Sequence, residues 1–354
     1  MKITNVKVEK LQLELHKPFK IALGVIEHVD TMLVKVETDE GVYGIGEGAP
    51  MEFVTGDSID HIKIVTEMLG KLIIGHDPLN MEKLHNIMDN AIARNTGAKA
   101  AIDIALYDIK GKVMGAPLYK VLGGNSNKFD TDITIGIATP SEMAKEAKER
   151  VDQGFKILKI KAGLNPEEDI EAVRLIRDSV GKNIRLRMDA NQGWSVSEAV
   201  KVMKAVQEYG VEAVEQPVPY WDIEGMALIR EKVDIMVMAD ESVFSPIDAI
   251  RVVRKNAADV INIKLMKSGG LYRGEQINAI SEAAHIKCMV GCMLESKVAI
   301  TAGASLVAAK KNITEADMDS FLYTKDPGIK GGLTIENGVI ILPETPGLGI
   351  DIDF

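Results

Sequence analysis

Cysteine is scarce in this chain: its 354 residues include two, Cys288 and Cys292. Four residues along a strand would hold them roughly 13 Å apart, beyond disulfide reach. A disulfide-stapled scaffold is excluded, and a reducing cytoplasm suits the thiols. No apolar run reaches the length that spans a bilayer, so no membrane partner is expected. The opening MKITNVKVEKLQLEL alternates polar and apolar residues without a continuous apolar core, and reads as a strand, not a signal peptide. Positive charge is not in excess either. Lysine plus arginine total 42 against 52 aspartate plus glutamate, a net charge of −10, which argues against nucleic acid or an anionic membrane and for a small-molecule partner. A homo-oligomer is left open.

Against these absences stands an ordinary globular composition, 46% hydrophobic and 27% charged, which excludes disorder and low-complexity repeats. The length suits one large α/β domain with a smaller one. Residues 1 to 15, 30 to 38 and 41 to 48 read as strands, and helical patterns follow near 58 to 73, 79 to 93 and 97 to 114. Leu122-Gly123-Gly124-Asn125 makes a boundary. Beyond it, eight short β-rich runs alternate with amphipathic stretches: 132 to 138, 156 to 162, 184 to 190, 211 to 217, 235 to 241, 260 to 266, 287 to 292 and 313 to 319. Such alternation is the signature of a parallel sheet with crossover helices, and eight runs suggest a closed barrel. From Lys325 a tail with two β-like stretches and no further helix is expected to return to the first domain. The domains are thus 1–125 (α+β), 126–324 (barrel) and 325–354 (returning segment).

Polar residues gather at the C-terminal ends of these runs. Lys161, Asp189, Glu215, Asp240, Lys264, Cys292 and Asp317 are separated by 28, 26, 25, 24, 28 and 25 residues, about one βα unit each. That spacing predicts one ring of side chains at the face where such barrels carry their chemistry. Asp189, Glu215 and Asp240 end three consecutive strands. Three converging carboxylates could not all stay ionised without a cation, and hard oxygen donors in this number suit magnesium. Each acid alone could equally pair with a lysine or cap a helix. Lys159 and Lys161 lie on one side and Lys264 on the other, an arrangement of two facing bases. A buried lysine beside another cation or a metal has a lowered pKa and can abstract a proton at neutral pH. The implied reaction binds a substrate carboxylate to the metal, loses the α-proton to one lysine and forms an enediolate. Reprotonation from the opposite face then inverts the centre, whereas departure of a leaving group gives elimination.

KIK, MDAN, VEQP, ADES and NIKLMKSGG, in this order and spacing, resemble the muconate-lactonizing subgroup of the enolase superfamily across nearly the whole chain. The chemistry of that superfamily, lysine or histidine bases working with magnesium, is general. The resemblance implies an α/β fold, a modified TIM barrel (β/α)7β closed by an α+β capping domain built from both termini. It implies Mg2+ on Asp189, Glu215 and Asp240, acid/base roles for Lys161 and Lys264, neutralisation of the substrate carboxylate by Lys159, and Asn191, Thr134 and Cys292 in the pocket. None of the six histidines ends a barrel strand, which disfavours a mandelate-racemase-like base. Asp317-Met318-Asp319 places two carboxylates on one strand parity. In dipeptide epimerases of the subgroup, a DxD at this place binds the substrate's α-ammonium, and two carboxylates suit that group's three donors.

The loops at 17 to 29 and 49 to 57 are expected to set specificity. They carry Phe19, Ile21, Leu23, Val25, Ile26, Met51, Phe53 and Val54, and no arginine precedes Arg94. A site for Ala-Glu would offer the glutamate side chain a guanidinium or ammonium, for which Lys20 is available in the first loop. An apolar or aromatic C-terminal residue is therefore expected. The competing readings are an o-succinylbenzoate synthase, N-acylamino acid racemase or muconate cycloisomerase of the same subgroup, a Schiff-base aldolase on Lys264, and an inert binding barrel.

Overall fold

The computed structural model describes residues 1–21, 24–26 and 28–352, with residues 19 and 21 described by their backbone alone. The chain opens with Ile3–Leu13 (β1), the hairpin Phe19–Ile21 (β2) and Gly24–Ile26 (β3), then Val29–Thr38 (β4) and Tyr43–Gly48 (β5). β1, β4 and β5 form an antiparallel sheet. Three helices follow, Ile59–Ile73 (α1), Met81–Ala91 (α2) and Thr96–Met114 (α3).

The glycines of YGIGEG explain how β5 lies on α3. A side chain at Gly44 or Gly46 would place its Cβ 1.9 Å from the carbonyl oxygens of Ala105 and Ala101, respectively. Glycine at alternate positions lets strand and helix backbones touch, and it turns the intervening residues, Ile45 and Glu47, to the other face.

After the one-turn helix Leu118–Val121 (α4) and the short strand Lys128–Asp130 (β6), the eight expected runs form one parallel sheet. Strand and helix alternate: Ile133–Ile135 (β7), Pro140–Asp152 (α5), Ile157–Lys161 (β8), Pro166–Val180 (α6), Arg185–Asp189 (β9), Val196–Val206 (α7), Val211–Glu215 (β10) and Ile223–Lys232 (α8). The second half continues with Met236–Ala239 (β11), Pro246–Lys255 (α9), Val260–Lys264 (β12), the short Leu265–Ser268 (α10), Leu271–Ala283 (α11), Lys287–Gly291 (β13), Lys297–Ala309 (α12) and Ile313–Ala316 (β14). Most crossover helices start on a side-chain cap. Thr139–Glu142 and Ser195–Glu198 are capping boxes, and Asn165, Ser245 and Ser296 accept from first-turn amides.

At two points a side-chain acceptor stands where a ladder carbonyl would. Asp240 N donates to Gln216 Oε1 at 3.0 Å and Thr134 N to Asp319 Oδ2 at 2.7 Å. The second of these bonds, with Asp132 N donating to Ala316 O at 3.2 Å, joins the last strand to the first and closes the barrel. Below the polar ring, Ala213, Met238, Val260 and Met289 form a small buried cluster, and the buried Arg187 meets Asp132 at 3.2 Å and also pairs with Glu315. The barrel is therefore filled beneath the site.

The segment after Lys325 adds Lys330–Gly331 (β15), the hairpin Thr334–Glu336 (β16) and Val339–Ile341 (β17), and Ile350–Asp351 (β18). β17 first pairs with β6, at the entry to the barrel, and the chain then reaches α3, where Leu348 N donates to Asp108 Oδ1 at 2.8 Å. No helix is long and apolar enough to cross a membrane among the described residues.

Candidate active site

Strand register sets the ring. Asp189 on β9 is level with Lys161 on β8 and with Glu215 on β10, and Thr134 on β7 is level with Lys159. On β13 the residue level with Lys264 is Gly291, and Cys292, expected in the ring, stands one residue farther out. A side chain at Gly291 would put its Cβ 2.8 Å from the Asn262 amide, so the ring has room for six side chains and a gap.

Four buried lysines interleave with the carboxylates. Lys159 Nζ lies 2.7 Å from Asp317 Oδ2, 2.8 Å from Glu215 Oε2 and 3.1 Å from Asp189 Oδ2. Lys161 Nζ is 2.6 Å from Asp189 Oδ2 and donates to Asn191 Oδ1 at 3.0 Å. Lys264 Nζ is 2.8 Å from Asp240 Oδ2, and Lys267 Nζ is 2.6 Å from Asp240 Oδ1. Lys267 was not anticipated, because it sits on α10 after the strand, where alternation no longer predicts direction. It donates to the Asn262 carbonyl at 3.0 Å and also to that of Asp240. Asn262, likewise unanticipated, donates to Glu215 Oε1 at 2.7 Å. Its signal was available, since it shares strand parity with Lys264. Glu241 accepts from Asn191 Nδ2 at 3.3 Å.

Electrostatics follow from burial and these pairings. Burial alone would raise Asp189, but the ammonium groups of Lys161 and Lys159 outweigh it and hold the carboxyl down at about 2. Burial opposes ionisation of Asp240 too, yet Lys264 and Lys267 keep it well below the usual range. Glu215 is pushed up to about 7 by burial and then by Asp189, and Glu241 to about 8 by burial and then by Asp240. Burial pulls Lys264 down, but Asp240 and Glu215 face it and push it up further. The three strand-end acids are an all-oxygen donor set, and Glu215, pushed up by burial and by the facing Asp189, would be relieved by a cation between them, which fits a hard divalent ion.

One cavity gathers most of the expected residues: Thr134, Lys159, Lys161, Asn191, Lys264, Cys292, Asp317 and Asp319 line it. Asp319 Oδ2 accepts from the amide of Thr134 and, at 2.8 Å, from the Tyr323 hydroxyl. Burial and then Asp317 push this carboxyl up to about 6. Cys292, Asp317 and Asp319 bring ligand-capable atoms within 4.8 Å of one another. Of the expected specificity residues, Ile26 and Val54 line the cavity together with Met51, while Met293 and Leu294 complete the apolar wall from the barrel side. Val25 and Phe53 are exposed and stand outside the lining. The side chains of Phe19 and Ile21, and Leu23 as a whole, lie outside the described residues. Lys20 lines a neighbouring cavity with Asn165 and Glu168.

A barrel whose mouth holds two opposed lysines, a three-acid cluster and a capping domain defines an acid/base enzyme. Residues 3–123 match the N-terminal domain of the mandelate racemase / muconate lactonizing enzyme family, and residues 142–354 match the enolase C-terminal domain-like family. The chain belongs to this branch of the enolase superfamily. It is 47% identical over 352 residues to a hydrophobic dipeptide epimerase of Enterococcus faecalis, covering 99% of each chain. It is 44% identical over 354 residues to an L-Ala-D/L-Glu epimerase of Clostridium acetobutylicum, again covering 99% of each. The fold superposes with a TM-score of 0.98 on the crystal structure of the dipeptide epimerase from Enterococcus faecalis V583 complexed with Mg and the dipeptide L-Leu-L-Tyr, at 46% identity over 99% of this chain and 100% of that one.

Proposed function

We propose that the protein is a magnesium-dependent dipeptide epimerase that inverts the α-carbon of the C-terminal residue. The observation that carries this reading is a single cavity lined by Lys161, Lys264, Asp317 and Asp319. Lys161 and Lys264 end strands on opposite sides of the barrel, β8 and β12, so a substrate between them presents one face of its α-carbon to each. One lysine takes the α-proton and the other, protonated, returns one to the opposite face. Lys159 offsets the charge of the substrate carboxylate. Asp317 and Asp319 hold the α-ammonium, which fixes the dipeptide's direction in the cavity. Asp189, Glu215 and Asp240 would hold Mg2+, which when bound supplies Lewis-acid stabilisation for the negative charge that grows on the carboxylate.

The preference we assign is for apolar or aromatic C-terminal residues over glutamate. Ile26, Met51, Val54, Met293 and Leu294 supply the apolar wall, and the lysines that line the cavity, Lys159, Lys161 and Lys264, are those assigned to the substrate carboxylate and the proton transfers. The free thiols suit a reducing compartment such as the cytoplasm.

The test is a dipeptide library incubated in deuterium oxide with and without magnesium, read by mass spectrometry. Magnesium-dependent exchange of one α-proton in apolar dipeptides is expected. Strong preference for Xaa-Glu would overturn the specificity, and absence of exchange in every dipeptide would overturn the function.

A further inference from the structure

Glu47 is a fully buried carboxylate on β5 of the cap, and it accepts three hydrogen bonds from the barrel. Ser296 N donates to Oε1 at 2.8 Å, and Ser296 Oγ and Ala299 N donate to Oε2 at 2.7 and 2.9 Å. Ser296 is the N-cap residue of α12, so the first turn of a barrel helix receives a carboxylate from the other domain, where orphan amides and the helix dipole both favour negative charge.

The position of this bond matters more than its strength. Glu47 lies just before the loop that brings Met51 and Val54 to the cavity, and Ser296 just after the segment that brings Cys292, Met293 and Leu294. Each wall is short of slack. On the cap side, Gly44 and Gly46 press β5 onto α3, and Ala49 N donates to Met266 Sδ at 3.2 Å. On the barrel side, Glu295 N donates to Ser320 Oγ at 3.2 Å, Ser320 Oγ to Glu295 O at 3.1 Å, and Met293 N to Glu295 Oε1 at 2.8 Å.

We infer that Glu47 is a positioning residue that sets the spacing of the two apolar walls and so determines which dipeptide side chains fit. This rests on the dipeptide-epimerase reading for its substrate, but not for its geometry. Glu47 touches neither the lysines nor the acid cluster. Its effect should therefore fall on discrimination between substrates and leave the proton transfers alone.

The experiment compares Glu47→Gln and Ser296→Ala with the parent enzyme, loaded with magnesium, on L-Ala-L-Ala and L-Leu-L-Leu. Glu47→Gln faces the Ser296 and Ala299 amides with an amide that is itself partly donor. It should narrow the ratio of kcat/KM between the two dipeptides about tenfold through KM, with kcat within about threefold of the parent. Ser296→Ala, which removes one donor, should move the ratio the same way by less. A uniform loss on both substrates, or a loss confined to kcat, overturns the inference and leaves Glu47 a clamp of the fold. If Glu47→Gln does not fold, Ser296→Ala decides alone. Amide hydrogen exchange on the same proteins gives a reading independent of turnover. Faster exchange is expected in both 49–54 and 292–296, with 157–161 and 260–264 unchanged, and loosening of one wall only contradicts the proposal. Should the parent enzyme act on no dipeptide, the functional reading fails while the exchange data still decide the role of Glu47.

Discussion

Lys159 Nζ, on the second strand of the barrel, stands 2.7 Å from Asp317 Oδ2 at the end of the last, across the seam where the last strand meets the first. One of the two carboxylates assigned to the substrate's ammonium is thus already engaged by an internal ammonium, which also touches Glu215 and Asp189. Lys159→Met leaves three buried carboxylates with one cation fewer. Removing one partner of a buried pair costs about 3–5 kcal/mol, and this loss should appear in urea denaturation of the metal-free protein. Added magnesium should recover part of it.

The two bases can be separated by stereochemistry. Lys161→Ala and Lys264→Ala should each lower epimerisation by about 10^2 to 10^4, the usual worth of a positioned acid or base. Each variant should still exchange the α-proton of one epimer with solvent deuterium, and the two variants should do so for opposite epimers. Proton NMR in deuterium oxide reads this directly, and loss of exchange from both epimers in either variant would contradict a one-lysine-per-face mechanism.

Asp317→Asn and Asp319→Asn test the ammonium site. A hydrogen bond to a charged group is worth about 1.5–3 kcal/mol, so KM for dipeptides should rise roughly ten- to a hundredfold. An N-succinyl amino acid, which has no ammonium, provides the comparison and should be affected far less. Tyr323→Phe, which removes a donor to Asp319, should shift dipeptide KM in the same direction by a smaller factor.

Acidity gives a fourth expectation. Glu215, Glu241 and Glu295 are raised to about 7, about 8 and about 8 from an ordinary value of 4.5, in each case chiefly by burial. A raised carboxyl binds its proton more tightly in the folded chain than in the unfolded one, so its favourable contribution is full below pH 4.5 and is lost as pH rises through the folded value. Asp189 has the opposite sign. It is held near 2, and its contribution is present above 3.8 and lost below that. Without metal, the urea midpoint should therefore fall from pH 5 to pH 8. Glu295→Gln should flatten part of that slope, and magnesium should flatten the part that belongs to Glu215.

What could be read from the residues follows the range over which local rules act. The repeat of about 25 residues marks eight strand ends, since each βα unit returns the chain to the same level, and Lys161, Asp189, Glu215, Asp240, Lys264 and Asp317 fall there as expected. The caps at Thr139, Asn165, Ser195 and Ser245 are likewise local, each side chain meeting an amide two or three residues on. Parity gave out where strands end. Cys292 was expected in the ring that Gly291 occupies, and Lys267 and Glu241 lie just past the ladder, where alternation no longer fixes direction. The raised pKa of Lys264 depends on which carboxylates face it, and that is a matter of three dimensions. Glu47 and Ser296 are 249 residues apart, and nothing in either neighbourhood announces the other.

The last strand is joined to the first through the Asp319 side chain as well as through backbone. A carboxylate proposed to greet the substrate is therefore also a fastener of the cylinder. A substitution there would act on recognition and architecture at once, whereas the side chains of Met51, Val54, Met293 and Leu294 line the cavity without joining one strand to another.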